Sequence, residues 1–184
     1  MRRPAGNLRH RRQVLRGMSE ARRYNVLFLC TGNSARSVLA EAYLNATAGD
    51  RFHAYSAGSH PKGAVHPITL DTLRIAHLPT DNLRSKSWDE SAKPDAPKMD
   101  FVITVCDSAA SEVCPIWPGQ PITAHWSFPD PAAFQGREVE QRAFFLEVFR
   151  QIRTRLDIFR NLPVARLGRL ALKHELDEIG RNPG

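Results

Sequence analysis

Residues 25–37 of this 184-residue chain predict its fold class, and they are Asn25-Val26-Leu27-Phe28-Leu29-Cys30-Thr31-Gly32-Asn33-Ser34-Ala35-Arg36-Ser37. Residues 25–29 form an apolar run that is typical of a strand buried on both faces of a sheet. The next residues contain glycine and asparagine and predict a loop. Residues 36–48 then predict a helix with one apolar face, which ends near Gly49. A strand, a tight loop and a helix in this order are typical of an α/β protein.

Strands and helices alternate along the rest of the chain. Strands are predicted over residues 52–56, 101–105 and 122–126. Helices are predicted over residues 68–77, between Ser87 and Pro94, over 139–159 and over 165–179. This alternation predicts one α/β domain, residues 24–184, with a four-stranded parallel sheet and helices on both faces. Residues 1–23 are predicted to be a basic, disordered N-terminal extension.

Composition excludes several classes of protein. Three cysteines cannot make a disulfide framework for 184 residues. The longest apolar run, residues 26–30, is far shorter than the roughly 20 residues of a membrane-spanning helix, so no membrane association is expected. The net charge is +7, but residues 1–17 contain six arginines and no acidic residue. The basic segment is interpreted as sequence upstream of a start at Met18 or as disorder, with a nucleic-acid-binding arm as the alternative.

The loop after the first strand is the candidate site. Ligands of parallel sheets bind beyond the carboxyl ends of the strands, and the backbone amides of a tight loop at a helix N-terminus form a nest for an anion. We therefore expect a tetrahedral oxyanion here, two of whose oxygens the guanidinium of Arg36 can hold. The predicted oxyanion-binding loop is Thr31, Gly32, Asn33, Ser34, Ala35 and Arg36.

Cys30 is the predicted nucleophile, because it precedes this loop and would lie below the bound anion. The positive field of the loop is expected to lower the pKa of its thiol, and Ser37 is expected to donate a hydrogen bond to the thiolate. Gly32 is expected to supply the unusual backbone dihedral angles of the loop. Asp130, in a proline-rich loop after the fourth strand, is the candidate general acid. A buried structural cysteine and an ordinary Asp-Pro turn are the alternatives.

The other two cysteines have several interpretations. Cys106 follows the third strand, and Cys114 comes eight positions later, after small and polar residues that predict a mobile segment. Two accessible thiols that can meet permit disulfide exchange. The alternatives are two core cysteines, or a zinc site with His125, whose spacing fits no compact zinc motif. We expect no metal and no bound cofactor.

Residues 25–161 resemble the low-molecular-weight protein tyrosine phosphatases and, more closely, the thioredoxin-coupled arsenate reductases built on the same fold. The resemblance implies a flavodoxin-like topology for the four-stranded sheet. The segments that carry it are Cys30–Ser37, Ala40-Glu41, Tyr55–Gly58, Val105-Cys106, Cys114-Pro115 and Ala124–Ala132.

The resemblance also implies a reaction. Cys30 attacks arsenate, while Asp130 assists the loss of hydroxide. Cys106 then attacks Cys30, arsenite leaves, and Cys114 moves the disulfide to Cys106–Cys114. Thioredoxin restores the thiols, with glutaredoxin or a small thiol as the alternative reductant. Phosphate and sulfate would bind as analogues, and the expected role is arsenic detoxification in the cytoplasm.

A tyrosine phosphatase that uses Cys30, Arg36 and Asp130 is the alternative function. Two features argue against it. Ala132-Ala133 stand where those phosphatases carry an aromatic pair, and a phosphatase has no use for the two later cysteines. Weak phosphatase side activity is expected all the same, since phosphate and arsenate are both tetrahedral anions.

Lys86 departs from the pattern of the family. Some members bind potassium near the loop, and Asn33, Glu41 and Ser56 match its ligands. Lys86 stands at the position of the remaining acidic ligand. Its ammonium group is therefore expected to act as an internal cation in place of potassium and to neutralise Glu41. The alternative is a solvated surface lysine.

Overall fold

A computed structural model describes residues 22–182, so most of the predicted N-terminal extension lies outside the described residues. The strands are β1 (Tyr24–Cys30), β2 (Phe52–Gly58), β3 (Phe101–Thr104) and β4 (Ile122–His125). The helices are α1 (Arg36–Ala48), α2 (Pro67–Ile75), α3 (Asp89–Ala92), α4 (Asp107–Ser111), α5 (Glu138–Arg160) and α6 (Arg169–Arg181), with a 3₁₀ turn at Val164–Arg166.

The four strands form one parallel sheet in the order β2-β1-β3-β4. This is the order of a flavodoxin-like sheet, and it confirms the predicted fold class. β1 lies between β2 and β3, with Cys30 opposite Gly58 and Leu29 opposite Thr104. Cys30 therefore ends the strand next to the point where the strand order reverses, which is the position where open α/β sheets bind ligands.

The two faces of the sheet are covered unequally. Alternate residues of β1 point to opposite faces, so Val26 and Phe28 join the main core with α1, α5 and α6. Leu27 and Leu29 join a smaller cluster with Trp117. The prediction of helices on both faces is correct, but within residues 22–182 the cluster on the second face takes its cover from the four-residue α3 and the loop around Trp117.

The ring of Phe159 lies at the centre of the main core. It packs against Phe52 and Phe101, whose ring centroids are 4.9 and 5.5 Å away, and against Trp126 at 5.9 Å. Because these rings belong to β2, β3 and the residue after β4, one side chain of α5 holds three strand ends in place.

The predicted helix over residues 165–179 is wrong at its start. A 3₁₀ turn comes first, and α6 begins only after Gly168, whose backbone is extended. α6 then packs along β4, where the indole of Trp126 donates to the carbonyl of Leu176 at 2.9 Å. Gly180 is required at this contact, since a Cβ there would lie 2.6 Å from the carbonyl oxygen of His125. Among the helices of residues 22–182, none combines the length and apolar character needed to cross a membrane.

The substitution Phe159→Ala should lower the free energy of unfolding by about 3–5 kcal/mol, since it removes a buried aromatic ring and leaves a cavity. Urea denaturation followed by circular dichroism measures this change. The matched control is Ile158→Ala, the next residue of α5, which is 38% exposed and should lose far less. Equal losses in the two variants would contradict the central role of the Phe159 ring.

Candidate active site

Cys30 lies at the bottom of the loop, and the residue is 3% exposed. Its Sγ accepts the backbone N–H of Asn33 at 3.1 Å and lies 2.9 Å from Ser37 Oγ. The hydroxyl of Ser37 also accepts a hydrogen bond from Asn33 Nδ2 at 2.9 Å, which leaves its own hydrogen free to be donated to the sulfur. The structure thus brings Ser37 to the sulfur.

Asn33, rather than Gly32, adopts the unusual backbone conformation of the loop. Asn33 has a φ of 43°, whereas the φ of Gly32 is not in the left-handed region, so the expectation for Gly32 is wrong. The buried Asn33 side chain stabilises this conformation through a hydrogen bond to Ser56 Oγ at 2.9 Å and one from the Lys86 backbone N–H at 2.8 Å. Gly58 is needed for close approach, because a Cβ there would lie 2.4 Å from the carbonyl oxygen of Thr31.

The pKa of the Cys30 thiol is raised, which contradicts the expected lowering. Burial is the main cause, and the neighbouring Cys106 adds to it. The hydrogen bonds from Ser37 and Asn33 and the charge of Arg36 act in the opposite direction, but they do not outweigh desolvation. The sequence showed the favourable groups around Cys30, but not the depth at which the fold places the sulfur.

Arg36 and Asp130 meet at the rim of the loop. Their side chains form an ion pair, with Arg36 Nη2 3.1 Å from Asp130 Oδ2, and Arg36 Nη1 also donates to the carbonyl of Phe128 at 3.1 Å. The loop, Asp130 and Ala132 line a cavity of about 280 Å³. The cavity thus joins a thiol, a cation and a carboxyl group, which is the set needed for nucleophilic attack on an oxyanion.

Arg155 holds the loop that carries Asp130. The guanidinium of Arg155 is buried, and burial lowers its pKa. It donates to the carbonyl of Ser127 at 2.7 Å and to the carbonyl of Asn182 at 2.8 Å, and it stacks over the ring of Phe128 at 4.4 Å. The end of α6 is therefore tied to the loop of the candidate acid, a contact that no sequence pattern indicates.

Cys106 lies beside the anion loop. Its Sγ is 3.7 Å from Thr31 Oγ1 and accepts the backbone N–H of Ala109 at 3.4 Å, which caps α4. Residues 107–111, predicted to be part of a mobile segment, form this short helix and bury Ala109. The mobility itself stays a prediction.

Cys114 lies outside the anion cavity. It is partly exposed and borders a separate groove of about 760 Å³ between α6 and the β3–β4 face of the sheet. Burial and the nearby carboxylate of Glu112 raise the pKa of its thiol. The zinc alternative has no support, because both ring nitrogens of His125 have other partners, Thr104 at 2.8 Å and Asp107 at 2.9 Å.

Lys86 lies where the sequence predicted an internal cation. Its Nζ is 3.4 Å from Glu41 Oε2 and 3.3 Å from Ser56 Oγ, and both charged side chains are largely buried. Ser56 also donates to Glu41. An ammonium group already occupies the space between these oxygens, so the residues present do not fit a potassium ion.

Three residues that line the anion cavity, His60, Lys62 and Ser108, were missed by the sequence analysis. His60 and Lys62 follow β2, whose carboxyl end lies beside that of β1. The rule that directed attention to Cys30 and Cys106, that parallel strands end at one edge of the sheet, applies equally to residues 59–62.

Comparison with known proteins agrees with this geometry. Residues 25–169 match the family described as low molecular weight phosphotyrosine protein phosphatase. An arsenate reductase of Bacillus subtilis strain 168 is 37% identical over 134 residues, which cover 73% of this chain and 93% of that protein.

Two solved structures are also similar. A thioredoxin-dependent arsenate reductase of Corynebacterium glutamicum is 25% identical, with a TM-score of 0.53 over 80% of this chain and 67% of the other. A tyrosine phosphatase of Escherichia coli K30 in complex with sulphate is 17% identical and shares the fold, with a TM-score of 0.60 over 76% of this chain and 97% of the other. The resemblance drawn from the sequence is confirmed, and the chain belongs to the low molecular weight phosphotyrosine protein phosphatase family.

Proposed function

We propose that this protein reduces arsenate to arsenite with Cys30 as the nucleophile. The observation that carries the proposal is the cavity itself, in which a buried thiol lies below an anion loop and a second thiol, that of Cys106, lies 3.7 Å from Thr31 of the same loop. Similarity to arsenate reductases supports the choice of substrate.

The first step forms a bond between Cys30 Sγ and arsenic. Cys30 thiol and the hydrogen arsenate dianion give a thiol–arsenate adduct and one water, so the thiol proton leaves with an arsenate oxygen. Because burial favours the protonated thiol in the empty site, we propose that the proton moves as the anion binds. Arg36 would hold the oxygens, and the Asp130 carboxylate would take the thiol proton and pass it to the departing hydroxide, which leaves as the water.

The second step transfers two electrons to arsenic. Cys106 Sγ attacks Cys30 Sγ, the S–As bond breaks with its electron pair on arsenic, and arsenite leaves as As(III) with the proton of the Cys106 thiol. A Cys30–Cys106 disulfide remains. Cys114 then attacks Cys106, which frees Cys30 and leaves a Cys106–Cys114 disulfide.

A protein dithiol, thioredoxin in our proposal, reduces this disulfide and is itself oxidised. Glutaredoxin or a small thiol is the alternative reductant. A reducing compartment such as the cytoplasm suits three free thiols. In this setting the protein would serve arsenic detoxification.

Phosphatase activity is the second candidate function, since Cys30, Arg36 and Asp130 line the cavity in the arrangement that phosphoester cleavage also requires. It leaves Cys106 and Cys114 without a use, and the residue beside Asp130 in the cavity wall is the small Ala132. We therefore propose phosphatase activity as a side activity only.

The relay can be tested by arsenate-dependent oxidation of NADPH in the presence of thioredoxin and thioredoxin reductase. Wild type should turn over, and Cys30→Ser, Cys106→Ser and Cys114→Ser should not, since each thiol carries one disulfide exchange. In a single turnover Cys114→Ser should still release one arsenite and accumulate a Cys30–Cys106 disulfide, which peptide mass spectrometry detects. A wild type that hydrolyses aryl phosphate through Cys30 but reduces no arsenate would contradict the proposal.

The role of Ser37 can be tested by alkylating Cys30 with iodoacetamide across a pH series, with Cys106 and Cys114 changed to serine. The midpoint, which is the pH at which the alkylation rate reaches half its maximum, should lie above that of an ordinary thiol, because burial raises the pKa of Cys30. Ser37→Ala should raise it further and slow alkylation at pH 7 roughly tenfold, since a hydrogen bond to the thiolate is lost.

The control is Ser59→Ala, whose hydroxyl contacts His60 and not Cys30. It should leave the midpoint unchanged. A midpoint below that of a free thiol, or one insensitive to Ser37→Ala, would contradict the electrostatic account of Cys30.

The internal cation can be tested by exchanging sodium for potassium in the activity assay. Wild type should show the same rate in both salts, because Lys86 already neutralises Glu41. Lys86→Asp should make the rate several-fold higher in potassium. Lys93→Asp, at an exposed site, is the control for the change of charge and should show no such preference. A several-fold stimulation of wild type by potassium would refute the role of Lys86.

A further inference from the structure

We propose that Lys62 is a second anion-binding cation of the Cys30 cavity and that it makes the site select dianionic oxyanions over monoanions of the same shape. The inference rests on the proposed function for its choice of oxyanion, but the geometry that carries it concerns the cavity alone. Lys62 lines this cavity together with the anion loop.

The backbone around Lys62 is fixed to the outer side of the anion loop. The N–H groups of residues 59, 60 and 62 donate to the carbonyls of residues 30, 31 and 32, at 3.3, 2.9 and 3.0 Å. These hydrogen bonds continue the β1–β2 pairing past the ends of the strands. Lys62 is therefore held beside the loop by the fold, although its side chain is exposed.

The stem of Lys62 lies over Gly32. A Cβ built on Gly32 would be 3.3 Å from Lys62 Cε and 3.4 Å from Cγ, so the absent side chain of Gly32 leaves the room that the stem occupies. This is a physical reason for a glycine at a position where the backbone itself does not demand one. The contact keeps the ammonium group near the rim of the cavity.

The charge of Lys62 is available to a ligand. Arg36, the other cation of the cavity, already pairs with Asp130 and with the carbonyl of Phe128. Within residues 22–182, by contrast, no carboxylate lies within ion-pair distance of Lys62 Nζ. An anion in the loop is thus the natural partner of this ammonium group.

Selection by charge follows from Coulomb attraction, which is proportional to the product of the two charges. Sulfate and perchlorate fit the shape of the loop almost equally well, since both are tetrahedral. A cation at the rim attracts the sulfate dianion twice as strongly as the perchlorate monoanion. Lys62 therefore adds to the preference for hydrogen arsenate, which carries two charges.

The test is protection of Cys30 against iodoacetamide by sulfate and by perchlorate, measured as the ratio of alkylation rates with and without the anion at constant ionic strength. Lys62→Met should weaken protection by sulfate about tenfold and by perchlorate only about threefold, as the charge ratio requires. Lys62→Arg should restore most of the sulfate affinity. Lys93→Met, at an exposed position that does not line the cavity, is the control and should change neither.

A turnover assay gives a second measurement. In arsenate reduction Lys62→Met should raise KM about tenfold and leave kcat within about twofold, because the later disulfide steps do not involve the anion. Equal loss of protection by both anions, or no loss, would overturn the proposal. If Lys62→Met loses protection by sulfate more than by perchlorate but wild type reduces no arsenate, Lys62 would remain an anion-binding residue and the proposed function would be refuted.

Discussion

The hydrogen bonds of the Asn33 side chain are the interaction on which the site depends. Asn33 holds the left-handed turn of the loop, and its amide joins Ser37, Ser56 and the backbone of Lys86. A buried amide with all these partners is costly to disturb, since each lost partner leaves a polar group unsatisfied. Through Ser37 the same side chain fixes the hydrogen bond to Cys30. The conformation of the anion loop and the environment of the nucleophile therefore have one common cause.

Burial of Cys30 has two opposing effects. It raises the pKa of the thiol, and it also excludes water from the sulfur and its donors. A dry site strengthens every charge interaction inside it. The thiol therefore stays protonated in the empty site, and in the proposed first step its proton leaves with the departing arsenate oxygen. A nucleophile kept protonated at rest is also less exposed to adventitious oxidation, because the thiolate is the reactive form.

Most of the fold could be predicted from the sequence, because its signals are local. The apolar run at residues 25–29 and the helical spacing of residues 139–159 each indicate their own element, and both are found. The anion loop was also recognisable, since Cys30, Arg36 and Ser37 lie within eight residues. Lys86 could be located only through resemblance to the family, since 45 positions separate it from Glu41.

The features that were missed are tertiary. The raised pKa of Cys30 depends on how deeply α1 and the neighbouring strands bury the sulfur. The space over Gly32 exists only because residues 59–62 run alongside it. Likewise, Arg155 meets Ser127 and Asn182 across 27 or 28 positions of sequence. None of these contacts can be recognised from the order of residues along the chain.

The separation of Cys114 from the anion cavity has a kinetic consequence. The Cys30 cavity and the groove beside Cys114 share no lining residue. In the proposed cycle the oxidising anion and the electron donor would then enter by separate routes. Neither would have to leave before the other could approach. Phosphate would therefore compete with arsenate and not with the reductant, and a bound reductant would not block the entry of the oxyanion.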